Sequence, residues 1–249
     1  MEFQSKNPVL TKIDSSVEYN YSYATGKTAS FTGIATKTGI LLGIILAISA
    51  IIWTNLATLA PYLITFIVIG SISGFISVLV TSFSRSGSPV FTIIYAISEG
   101  LVLGSVSAIL QEVLPGIVAN AIILTFIIFG FLLVTYATGI FKVGFKFRKI
   151  FITALFCILI FSFISFILSL TGLPIFIVSD PGLMIVISII MVIMASFSLL
   201  VDFDDCRQAV DRGLPSRYEW YLSLGLLVSL IWLYTEIVRL LLILARNKD

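Results

Sequence analysis

The chain divides into seven long runs of Ile, Leu, Phe and Val separated by short polar connections. The runs lie at 39–59, 62–82, 90–110, 117–139, 150–171, 182–202 and about 220–245. A helix needs roughly 20 mainly apolar residues to cross about 30 Å of hydrocarbon, and every run reaches that length. The runs are continuous and do not alternate with period two, so they predict helices and not the strands of a membrane barrel. Residues 1–30 are polar and lack the charged head and apolar core of a cleavable signal peptide. The pattern therefore predicts a cytosolic tail over 1–30 and a single seven-helix transmembrane domain over 31–249.

Composition agrees: 59% hydrophobic residues, 11% charged residues and a mean hydropathy of +1.13 describe an all-α integral membrane protein. The net charge of +2 says little, but its distribution says more. Lys6, Lys12, Lys27 and Lys37 lie in or just after the tail, and Arg85 follows the second run. Lys142, Lys146, Arg148 and Lys149 follow the fourth run, and Arg207, Arg212 and Arg217 the sixth. The connections after the first, third and fifth runs carry no Lys or Arg. The positive-inside rule then predicts a cytosolic amino terminus and, with seven spans, an external carboxyl terminus. Arg246 and Lys248 favour the alternative, a short or re-entrant seventh segment that leaves the terminus inside.

The chain has no histidine, which removes the usual transition-metal and histidine-based chemistries. Cys157 lies inside the fifth run and Cys206 in the basic connection after the sixth, an arrangement that predicts neither a disulfide nor a metal cluster. There is no Ser/His/Asp set, no phosphate-binding glycine loop and no nucleic-acid patch. The stretch DFDDCRQAVDRG resembles a calcium loop only superficially, since Arg207 stands where the turn glycine belongs and Cys206 at a ligand position. Intramembrane proteolysis would need a second aspartate at the depth of Asp202. Asp180 instead falls on the outer side, in a Ser179-Asp180-Pro181 helix cap. No enzyme and no cofactor are expected.

What remains is a short set of ionisable groups in or at the edge of hydrocarbon: Glu99, Asp202, Glu236 and Arg239. A charge at the bilayer centre costs roughly 2.5–3.5 kcal/mol on the most lenient scale, so such groups face protein or water and are functional candidates. The structural alternative is an ion pair that ties helices together. Gly213-Leu214-Pro215-Ser216 has the chemistry of a hairpin turn. Counting outward from it puts Asp202 near Ser229, both at the cytosolic boundary. Asp205 lies one turn beyond Asp202, as a coupled group or as a solvated charge. From the boundary Glu236 and Arg239 lie about 10 and 15 Å into the membrane, and Glu99 about 14 Å from the start of its run. Glu99 and Arg239 thus share a depth and are expected to form a buried pair, directly or through Glu236. Gly225, Ser229, Trp232, Glu236 and Arg239 recur at 4-3-4-3 spacing on one helical face. Gly70/Gly74 and Gly100/Gly104 have the spacing that lets membrane helices approach closely.

The stretches LLVDFDDCRQAVDRG, RYEWYLSLGLLVSLIWLYTEIVRLLLIL, SPVFTIIYAISEGLVLGSVS and GIATKTGILLGI resemble the bacterial branch of the Bax inhibitor-1/YccA family, also called the transmembrane Bax inhibitor motif family. The most specific part runs from Glu219 to Leu241. The resemblance implies seven helices with the last one central between two three-helix layers, in a bacterial plasma membrane. It further implies a pH-sensitive calcium leak controlled by two aspartates near the cytosolic side. Two carboxylates in contact ionise together only at a cost, so a proton shared between them acts as a switch. The first aspartate of that pair matches Asp202, whereas the second falls on Ser229. The family arginine matches Arg239, but residues 62–82 hold no carboxylate to serve as its usual partner, a role Glu99 is placed to supply. The resemblance therefore implies a leak for calcium or another cation with an incomplete dyad. The alternative is a non-conducting regulator that binds other membrane proteins, such as a membrane protease.

Overall fold

The computed structural model describes residues 26–83, 88–170 and 181–246. Most of the polar tail, Arg85, the Ser179-Asp180 cap and Lys248 lie outside the described residues. The architecture is all-α, with seven helices long and apolar enough to cross a membrane. They are α1 (Phe31–Thr54), α2 (Leu63–Phe83), α3 (Pro89–Val113), α4 (Ile117–Ala137), α5 (Phe145–Leu170), α6 (Pro181–Asp211) and α7 (Tyr218–Arg246). A short helical turn over Leu56–Leu59 and a 3-10 turn over Ala60–Tyr62 join α1 to α2. The last helix is continuous over 29 residues, long enough for a full crossing. The helices expose Phe, Ile and Leu in quantity, including Phe75, Ile150 and Phe163, which is the surface that a lipid bilayer covers.

The chain forms two compact units: Met1–Ala108 with Asp205–Leu227, and Ile109–Asp204 with Val228–Asp249. In the first unit, glycines decide the packing. A Cβ at Gly70 of α2 would stand 2.7 Å from the Ser98 carbonyl oxygen and 2.7 Å from Val102 Cγ2 of α3. On α3, a Cβ at Gly100 would stand 2.9 Å from Ile48 Cβ, and one at Gly104 2.9 Å from Ser49 Cα, both on α1. Such approaches leave no room for a methyl group, and polar side chains use the closeness. Ser49 Oγ donates to the Gly100 carbonyl at 3.3 Å, Trp53 Nε1 to the Gly104 carbonyl at 3.2 Å, and Ser73 and Ser98 share a hydroxyl bond of 2.7 Å.

The first unit also holds the α6–α7 turn. Gly213 has φ +64° and ends α6, with its amide bonded to the Val210 carbonyl and the Leu214 amide to the Ala209 carbonyl. These are the two bonds of a Schellman stop, which requires a left-handed residue that glycine supplies. The chain before α1 lies along this turn. Thr28 pairs with Pro215 as an antiparallel bridge, the Ala29 amide donates to the Leu214 carbonyl at 2.6 Å, and the Ser216 amide donates to the Lys27 carbonyl at 3.2 Å. Thus the last residues of the predicted tail are bound to the α6–α7 connection.

In the second unit α6 is held by aromatic rings against α4 and α5. Phe203 meets Phe129 and Tyr136 with ring centroids 5.7 and 5.9 Å apart. Six residues earlier, Phe197 meets Phe147 at 5.2 Å and Phe141 at 6.3 Å. Pairs at these separations add about 0.5–1.5 kcal/mol each to the area they bury.

Candidate functional site

Asp202, Asp204 and Asp205 stand within one turn of α6, and the helical period sorts them onto different faces. Successive residues turn by 100°, so Asp204 points away from Asp202 while Asp205 returns to its side. Asp204 is consumed in a lock between helices: Arg148 Nη2 of α5 donates to its Oδ2 at 2.9 Å and the Tyr136 hydroxyl of α4 to its Oδ1 at 3.1 Å. Both members of the ion pair are largely shielded, with 21% and 16% of their side chains exposed, so the pair is less screened than a surface one. Asp202 is half-buried on the opposite face, the one that carries Ser198 a turn earlier.

Ser229 is buried on α7, and its hydroxyl shares a 2.8 Å hydrogen bond with that of Ser198. Its bonded partner on α6 is therefore Ser198, one turn before Asp202, which shifts the hairpin register by about 6 Å from the one counted out from the turn. Further along α7, Glu236 is buried: Trp232 Nε1 donates to its Oε1 at 3.1 Å, and Arg239 Nη1 forms an ion pair 3.2 Å from its Oε2. The 4-3-4-3 face read from the sequence thus closes on itself as a Trp232–Glu236–Arg239 chain.

Glu99 lies in the first unit, on α3. It packs over Gly74 of α2, where a Cβ would stand 3.8 Å from Oε1, and Tyr95 lies one turn earlier on the same helix. Ser98, Ser77 and Thr81 are buried in the same unit, each donating to the carbonyl four residues back in its own helix. Asp205 is half-buried at the edge of this unit. Among the described residues, no three Cys, Asp or Glu side chains gather into a metal-holding cluster.

Two constellations escaped the reading of the sequence. One is the Arg148–Asp204–Tyr136 lock. The other centres on Glu219, buried in the first turn of α7, where a carboxylate also suits the positive end of the helix. Its Oε1 accepts from the Ser30 amide at 2.9 Å and the Ser30 hydroxyl at 3.2 Å, and its Oε2 pairs with Lys37 of α1. Lys37 also stands over the Trp220 ring, 5.4 Å from its centroid. A Cβ at Gly33 would collide with the Glu219 carboxylate, so glycine is what lets α1 come this close. Ser223 adds a bond to the Ile34 carbonyl at 3.0 Å. The available signal was Lys37, the one charge in an otherwise apolar first helix.

Seven apolar helices long enough to cross a bilayer, with carboxylates tethered at the end of α6 and along α7, define a multi-pass membrane protein. The chain belongs to the Bax inhibitor 1 like family, which matches it over residues 7–246. No curated protein matches the chain.

Proposed function

We propose that this protein is a cation leak of the membrane, permeable to calcium, in which Asp202 is the carboxylate that attracts the ion. The observation that carries this reading is the position of Asp202: it is half-buried one turn past the Ser198–Ser229 hydroxyl pair, on the face of α6 opposite the Arg148–Asp204–Tyr136 lock. Oxygen ligands at a membrane boundary suit a hard cation, and serine hydroxyls supply neutral ones beside a single negative charge. With Ser229 in place of a second carboxylate, entry does not depend on a proton shared by two aspartates. Membership of the Bax inhibitor 1 like family supports a membrane protein of this kind. The basic connections favour a cytosolic amino terminus, and the resemblance of the sequence to the bacterial branch of the family is what suggests a bacterial plasma membrane.

Calcium influx into liposomes that contain only this protein tests the proposal. Influx above that of empty vesicles is expected. Influx equal to that of empty vesicles would overturn it and leave the second reading, a non-conducting regulator of other membrane proteins such as a membrane protease.

A further inference from the structure

The outward side of α5 differs from the other spans. Among its described side chains Phe151 is the buried one, and nearly all the others face outward or are partly exposed. Near its amino end the surface is dented by a groove of about 350 Å³ lined by Lys149, Ile150, Thr153, Ala154 and Cys157. The volume falls at the lower end of small-ligand sites, about 300–1,000 Å³. These positions recur at helical spacing on one face, and Lys146 continues that face one turn toward the amino end. The floor is apolar and shallow because alanine, threonine and cysteine stand where most α5 positions hold Phe, Ile or Leu. Thr153 adds little polarity, since its hydroxyl donates to the Lys149 carbonyl at 2.9 Å.

The charges around the groove are of one sign. Arg148 is spent on Asp204, but Lys142, Lys146 and Lys149 are exposed, and among the described residues none of the three is joined to a carboxylate. A groove with an apolar floor and lysines at one end matches an amphiphile with an acyl chain and a negative head. A second copy of this chain fits poorly, because a two-fold contact here would set lysines against lysines. We propose that this face of α5 binds one anionic phospholipid, its phosphate at Lys146 and Lys149 and an acyl chain over Thr153, Ala154 and Cys157. The inference is independent of ion conduction.

Native mass spectrometry of the full-length protein, titrated in detergent with dioleoyl phosphatidylglycerol or dioleoyl phosphatidylcholine, counts the bound lipids. Phosphatidylglycerol should bind more tightly although the chains are identical. Lys146→Ala with Lys149→Ala should weaken it about thirtyfold, the combined effect of two cations near a membrane surface. Ala154→Leu keeps both lysines, fills the groove and should also weaken binding, with Thr153→Leu as the second variant if the first does not fold. Circular dichroism and thermal unfolding verify the fold of each. Equal binding of the two lipids would overturn the proposal, as would a loss confined to the lysine variants, which would mean diffuse attraction without a groove. Displacement of the lipid by millimolar inorganic phosphate would also overturn it, because the acyl chain would then contribute nothing.

Discussion

Glu219 joins three parts of the first unit: the segment before α1, α1 itself and the start of α7. Hydrogen bonds to charged groups are worth about 1.5–3 kcal/mol each, and losing one partner leaves the other buried without compensation. Glu219→Ala should lower stability in detergent by about 3 kcal/mol, read as a fall in the unfolding midpoint. Lys37→Met should cost much less in that background than in the native chain; additive losses would mean that the pair contributes nothing. Gly33→Ala should reproduce part of the loss by driving the carboxylate from its partners. At this scale the sequence was legible where a residue type is costly in lipid: Glu99, Glu236 and Arg239 drew attention because charge in hydrocarbon needs a reason. It was not legible where partners come from distant segments. Ser30 and Glu219 are 189 positions apart, and no local pattern announces their bond.

The seven helices were read from hydropathy with boundaries that moved by up to nine residues; α1, for example, begins at Phe31 and not at 39. The apolar run marks the part in lipid, whereas the helix continues into the polar connections wherever a cap or tertiary contact sustains it. So α6 extends nine residues past Asp202 to the Gly213 stop. Glycine spacing needed coordinates to interpret. Gly70, Gly100 and Gly104 sit in contacts with no space for a methyl group, whereas Gly43 and Gly130, equally helical, have nothing within 4 Å of a Cβ. Replacing each with alanine should therefore split into two groups. The first three should lose about 1–3 kcal/mol through overpacking, and the last two should change little or gain up to about 1 kcal/mol from helix propensity. A uniform response across the five would refute this account of the packing. The hairpin register shows the same limit: the turn was legible at 213–216, but Ser229 bonds Ser198, because α6 and α7 meet through side-chain packing that turn counting does not capture.

For the molecule as a whole, the distribution of Lys and Arg makes a prediction about sidedness. In a chain with Cys157→Ala and Cys206→Ala, a cysteine in place of Lys146 should resist an impermeant thiol reagent added outside intact cells and react once they are opened. Reaction in intact cells would invert the topology. The central claim concerns Asp202, half-buried on α6 one turn past the Ser198–Ser229 hydroxyl pair. The direct measurement is calcium flux into liposomes holding the wild type, Asp202→Asn or Ser229→Ala at equal protein density. The account predicts a protein-dependent flux that Asp202→Asn lowers by about tenfold, the effect of removing roughly 1.4 kcal/mol of attraction at the ion's entry, while Ser229→Ala lowers it much less. A flux through Asp202→Asn equal to that of the wild type, or a wild type no more permeable than empty vesicles, would contradict it.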